Sequence, residues 1–180
     1  NRMTVVAYYL NGKIQSASQK VPERRLKEGF YLCGNAKLDA EGVIGDPTEV
    51  ALMRWALDNG VDAAQIIRQF PRVAEIPFDS RRKRMSTVHQ TGLEKIVYVK
   101  GALESVLPLC THLWQDGRRV ELTTPMRRQI EEAAAQMAGE ALRVLVLATR
   151  TVASLDESQF DTRLCFIGMA GMIDHPTEGV

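Results

Sequence analysis

Val73–Lys100 reads VAEIPFDSRRKRMSTVHQTGLEKIVYVK, and the fold turns on this stretch. Val73–Phe78, Arg84–His89 and Lys95–Lys100 are each short and rich in β-branched or aromatic residues. Turn-forming residues bound them, as expected of strands. Thr91-Gly92 is short enough to make the second connection a hairpin. Three consecutive strands without an intervening helix predict a locally antiparallel sheet.

The same reading extends in both directions. Met3–Leu10 (MTVVAYYL) is a strand running into a tight turn at Asn11-Gly12. Val21–Tyr31 places Leu26 and Phe30 at i, i+4 among charges, which predicts a short amphipathic helix. Asp46-Pro47-Thr48-Glu49 opens a helix over Val50–Leu57, with Asp46 as N-cap, Pro47 in the first turn and Glu49 as capping-box partner. Asn59-Gly60 ends it, and Asp62 caps a second short helix that stops at Phe70-Pro71. Beyond the sheet, Leu103–Leu109 suits a short helix. Asp116-Gly117 joins His112–Gln115 to Arg118–Leu122 as a hairpin. Thr124 caps a helix beginning at Pro125, with Ile130, Ala134 and Met137 down one side. Leu142–Thr149 and Leu164–Met172 are apolar runs that fit buried strands. The prediction is an α+β domain, a mainly antiparallel twisted β-sheet flanked by helices.

Composition narrows the function. The 180 residues carry 23 Lys+Arg and 22 Asp+Glu, a formal charge of +1, and 45% are hydrophobic. Near-neutrality argues against a whole-domain electrostatic partner such as duplex DNA or an anionic membrane. No apolar run approaches the roughly 20 residues of a membrane helix. Three widely spaced cysteines, Cys33, Cys110 and Cys165, suit buried thiols in a reducing compartment better than a disulfide frame or a zinc site. The sequence starts at Asn1, as expected of a piece of something longer.

Five segments could carry chemistry. Arg81–Arg84 follows Phe78 between two strands; it reads as a solvated turn, a nucleic-acid patch, or a phosphate site beside a ring that stacks on a base. No aromatic ladder accompanies it, as single-strand binders need. Lys100, at a strand end before Gly101-Ala102, could project into a cleft or sit beside a surface turn. Glu49 could face a pocket and accept from an amino group such as adenine's, although helix capping alone explains it. Arg143 interrupts a buried-looking strand and so needs an internal partner or an anion at a rim. Asp174, at the end of an apolar strand before Pro176, suits an exiting strand or a hinge. No P-loop, kinase signature, HExxH or GxSxG pattern occurs, and no complete active site is present.

In order, these segments resemble the nucleotide-binding domain of a P-type ATPase, most like the type II, calcium-pump-like cation pumps. NRMTVV resembles the stretch after the family's DKTGTLT motif and LCGNA (Leu32–Ala36) its CN-containing segment. GDPTEVALM, PFDSRRKRMS, YVKGALESVLPLC and ALRVLVLATR then follow in family order. GMAGMIDHP resembles the strand leading back to the phosphorylation domain. The specificity lies in the ordered set rather than in any one motif.

The resemblance implies a role for each matching position. Phe78 would stack on adenine and Glu49 would lie near the adenine amino group. Lys83 would border the nucleotide, Lys100 would lie deep in the pocket with Gly101 and Ala102 shaping its wall, and Arg143 would reach the phosphates. Asp174 matches the hinge aspartate, and Thr177 stands where the family's DPPR has arginine, a departure that removes a hinge-side phosphate contact.

It further implies that 1–180 is one domain of a larger membrane pump, with 1–5 and 173–180 as hinge segments. ATP would be bound on the cytoplasmic side, and its γ-phosphate presented to an aspartate of the absent phosphorylation domain, which would hold most of the Mg²⁺. The expected partners are that domain and the actuator domain. No nucleic acid or direct membrane contact is expected, and the chain is expected to be a monomer that does not hydrolyse ATP alone. The competing readings are a vestigial or regulatory module without ATP affinity, and an RNA- or DNA-binding domain using Arg81–Arg84.

Overall fold

In the computed structural model, which describes residues 2–175, helices cover both faces of one large sheet. The chain order is β1 (Arg2–Leu10), β2 (Lys13–Ser16), α1 (Arg24–Leu32), β3 (Lys37–Asp39), β4 (Gly42–Ile44), α2 (Pro47–Asp58), α3 (Ala63–Gln69), β5 (Arg72–Asp79), β6 (Arg84–Thr91), β7 (Glu94–Gly101), α4 (Leu103–Val106), β8 (Cys110–Gln115), β9 (Arg118–Glu121), α5 (Thr124–Gly139), β10 (Arg143–Val152) and β11 (Leu164–His175). The main sheet runs β2-β1-β11-β10-β7-β6-β5, with β8 and β9 added beside the start of β11. Every pairing is antiparallel except β8 with β11. The α+β prediction with a mainly antiparallel sheet therefore describes the molecule.

The unbroken apolar runs follow from burial on both faces. Along β10, Leu147 packs with α1 and α2, while Val146 and Ala148 pack with α5 on the other side. Along β7, Tyr98 faces the first core and Val97 and Val99 the second. Ile130, Ala134 and Met137 of α5 are buried, as their spacing predicts. On the first face, α1 approaches the sheet so closely at Gly29 that a Cβ there would lie 2.8 Å from the Tyr98 ring. Trp55 of α2 then fills the space between Tyr8 and Phe30. The three cysteines are buried free thiols; burial pushes Cys110 up to about 12 and Cys165 up to about 11.

Four local expectations change. Thr123, not Thr124, caps α5 by accepting from Met126 N, because the helix starts one residue earlier. Pro108 divides Leu103–Leu109 into α4 and a 3₁₀ turn over Leu107–Leu109. The first helix begins at Arg24, where the Glu23 side chain accepts from Arg25 N. β2 and the β3–β4 hairpin are too short and too polar to show a strand pattern and were not foreseen. Pro176 and Thr177, with the rest of 176–180, lie outside the described residues.

Candidate functional site

Antiparallel pairing places the end of β7 beside the starts of β6 and β10. Lys100 lies opposite Met85 on one side and Leu147 on the other, and Gly101 lies opposite Arg84 and Val146. The N-terminus of α2 overhangs this corner on the first core's side. Between them is a cavity of about 450 Å³ lined by Glu49, Phe78, Lys100, Gly101 and Arg143, together with Asn35, Asp46, Thr48, Met85 and Leu145. Its size falls within the roughly 300–1,000 Å³ typical of small-molecule sites.

Five of the seven residues singled out from the sequence thus converge, from four separate elements. At the floor, the buried Lys100 ammonium lies 3.5 Å from Glu49 Oε1. The other Glu49 oxygen accepts from Asn35 N at 2.7 Å. Asp46 caps α2 through Thr48 N as expected, but Glu49 does not complete a capping box, since its oxygens turn to Lys100 and Asn35. This departure from local capping is what aims a carboxylate at the cavity. At one rim Phe78 presents its ring to solvent, 60% exposed despite its size. Arg143 stands exposed at the start of β10, with Nη1 donating to Thr48 Oγ1 at 3.4 Å, so it heads the strand at the cavity rim rather than interrupting a buried one. A cavity with a ring on one edge, a charged floor and a guanidinium opposite suits a ligand with an aromatic end and an anionic end.

Lys83 and Ala102 serve differently. Lys83, with φ 56°, is a left-handed turn residue whose ammonium lies 3.6 Å from Glu104, outside the cavity lining. Ala102 N donates to Lys83 O, and Ala102 is the N-cap of α4. Gly101 lines the cavity, and the neighbouring strand leaves it no room for a side chain, since a Cβ would lie 2.8 Å from Arg84 Cα.

The basic run is not a uniform surface. Arg84 is largely buried, donating to Asp161 at 2.8 Å and to Ser105. Arg82 lies 3.8 Å from Asp79.

Asn35, Asp46, Thr48, Met85 and Leu145 carried no ligand-binding signal of their own. Asp46 and Thr48 were legible only as helix-start residues. Asn35 belongs to the LCGNA segment, which was notable only by its resemblance. Met85 and Leu145 read as sheet core, and nothing local marks where a strand end opens into a cavity.

The sequence matches the family described as P-type ATPase, cytoplasmic domain N, over residues 24–179. It is 37% identical over 182 residues to a calcium-transporting ATPase of Bacillus cereus, covering 98% of this chain and 20% of that protein. A cation-transporting ATPase of Synechocystis is 40% identical over 154 residues, covering 81% of this chain and 17% of that protein. The human calcium-transporting ATPase type 2C member 1 is 34% identical over 160 residues, covering 87% and 16%. The chain spans about a fifth of the length of the bacterial calcium-transporting relatives it matches. Among the described residues no helix is long and apolar enough to cross a membrane. By this match, and by the antiparallel sheet that carries the cavity, the chain belongs to the P-type ATPase family as a cytoplasmic domain N.

Proposed function

We propose that this chain is the ATP-binding domain of a P-type cation-transporting ATPase, presenting the γ-phosphate of ATP to an aspartate in a phosphorylation domain of the same parent chain. The observation that carries it is the convergence of Phe78, Glu49, Lys100 and Arg143 on one cavity. Phe78 stacks on the base, and the Glu49 carboxylate accepts from the exocyclic amine. Lys100 and Arg143 neutralise the phosphates; Lys83, whose ammonium pairs with Glu104 outside the lining, would leave that pair to border the nucleotide. Phosphoryl transfer depends on positioning and charge neutralisation, and this domain's share is to hold and aim the nucleotide.

The carboxylates lining this cavity are Glu49, beside the Lys100 ammonium, and Asp46, at the helix cap; the Mg²⁺ that accompanies ATP would be held mainly by the phosphorylation domain. Bound there, Mg²⁺ would offset phosphate charge, while Lys100 and Arg143 would orient the phosphate chain. The transported cation is calcium in the names of several relatives, and calcium is the cation proposed for the parent of this chain.

Residues 1–5 and 173–180 are proposed as the hinge segments toward phosphorylation and actuator domains on the cytoplasmic side of a membrane. Arg2 pairs with His175 and Met3 with Asp174, so β1 and β11 run side by side where residues 2–5 and 173–175 lie. Asp174, opposite Met3, lies exposed at this junction, as a hinge toward phosphorylation and actuator domains requires. The buried and paired members of the Arg81–Arg84 run favour a nucleotide over RNA or DNA, and the domain works as a monomer.

The test is a ¹⁵N–¹H NMR titration with ATP, with and without Mg²⁺, of the wild type and a Phe78→Ala variant. Saturable shifts at Glu49, Phe78, Lys100 and Gly101, weakened in the variant and unaccompanied by hydrolysis, are expected. A folded chain showing no shifts at millimolar ATP would put the vestigial-module reading first.

A further inference from the structure

A single guanidinium outside the cavity holds the wall that aims Glu49. Arg72, the first residue of β5, sends Nη2 to both Leu32 O and Gly34 O at 2.6 Å, and Nη1 to Asn35 Oδ1 at 3.1 Å. Leu32 ends α1, where carbonyls lack helical partners. The fork therefore satisfies a helix end and fixes the turn that follows it. The backbone N–H of Asn35, two residues past the cap, donates to Glu49 Oε2. Gly34 lies against the same pair, since a Cβ there would sit 3.4 Å from Lys100 Nζ. Glu49 is thus held at one oxygen by Asn35 N and at the other by Lys100, and its remaining lone pairs are left for a ligand. Glu75 lies 3.7 Å from the Arg72 guanidinium and balances its charge.

We propose that Arg72 is a positioning residue that sets base specificity. By clamping Leu32–Asn35 it locks the Glu49 carboxylate toward the exocyclic amine of adenine and against a base bearing a carbonyl oxygen there. This rests on the nucleotide reading above. Adenine offers a donor at that position, whereas hypoxanthine offers an acceptor that a fixed carboxylate repels. A lysine at position 72 keeps the charge but cannot serve three diverging acceptors. The segment would then loosen without loss of the sheet.

The experiment measures ATP and inosine triphosphate affinities of the 180-residue chain by NMR titration, for wild type, Arg72→Lys, Asn35→Ala and Glu49→Gln. Wild type is expected to prefer ATP. Arg72→Lys should lose about tenfold in ATP affinity, as loss of charge-assisted hydrogen bonds implies, and should bind inosine triphosphate unchanged within about twofold. Asn35→Ala, at an exposed side chain, should move the ratio less but in the same direction. If Arg72→Lys weakens both nucleotides equally, or leaves the ratio intact while Glu49→Gln abolishes it, the assignment of Arg72 is overturned and the nucleotide site stands. If wild type binds neither nucleotide, the site reading itself falls and the inference with it.

Discussion

The ammonium of Lys100 and the carboxylate of Glu49, 51 positions apart in sequence, meet at 3.5 Å on the cavity floor, with side chains only 6% and 17% exposed. Removing one partner of such a pair leaves an uncompensated charge and costs on the order of 3 kcal/mol. Lys100→Met should therefore lower the urea midpoint and abolish measurable ATP binding. Replacing both, as Lys100→Met with Glu49→Leu, should recover most of the stability and none of the binding, because an apolar pair of similar volume removes the desolvation cost. Recovered binding in the double variant would show that the cavity floor does not meet the nucleotide.

Phe78 separates function from stability more cleanly. Its ring is mostly in solvent, so Phe78→Ala should change stability by no more than about 0.5 kcal/mol. Loss of base stacking, worth about 1–3 kcal/mol per base, should weaken ATP by roughly five- to a hundredfold. Parallel denaturation and titration curves check both halves. Equal loss of stability and affinity would place Phe78 in the core rather than at the ligand.

The Arg84–Asp161 pair joins the start of β6 to the loop before β11. Arg84 also donates to Ser105, whose hydroxyl donates to Arg82 O. Arg84 lies in register with both Asp79, next to Phe78, and Gly101, next to Lys100. Asp161→Ala should cost about 2 kcal/mol, the range of a charge-assisted hydrogen bond. A double-mutant cycle with Arg84→Met should return a coupling of the same sign, and no coupling would assign the loss to the loop alone.

His89 gives the fold a pH dependence. It is 1% exposed, between Phe70 O and Thr87 Oγ1. Burial pushes its pKa down to about 4 from 6.5; the hydrogen bond to Phe70 opposes this, and the nearby Arg72 charge adds to it. The unfolded chain thus takes up a proton below about pH 6.5 and the native one only near 4. Stability should be full above pH 6.5 and fall through that window, losing about 2 kcal/mol between pH 7 and pH 5. Urea midpoints across this range should move for the wild type and much less for His89→Gln.

Much of the architecture was local information. β-branched runs with Asn-Gly, Asp-Gly and Thr-Gly turns located the strands of the main sheet other than β2, and capping residues located the helices within a few positions, because turn and cap chemistry acts over a handful of residues. Phe78 stood out as a lone ring beside cations, and Lys100 as a strand-end lysine before glycine. The β3–β4 hairpin was hidden because three-residue polar strands carry no period. Strand register could not be read locally either, and register alone sets Lys100 beside Met85 and Leu147 at the corner where Glu49 arrives from α2. The sequence by itself marked most of the strands and helices and the side chains proposed for a nucleotide. Tertiary structure decided that Glu49 leaves its own helix cap for Lys100 and Asn35, that Lys83 pairs with Glu104 outside the lining, and that Arg72 braces the wall. Those outcomes depend on contacts between residues tens of positions apart, which no local pattern encodes.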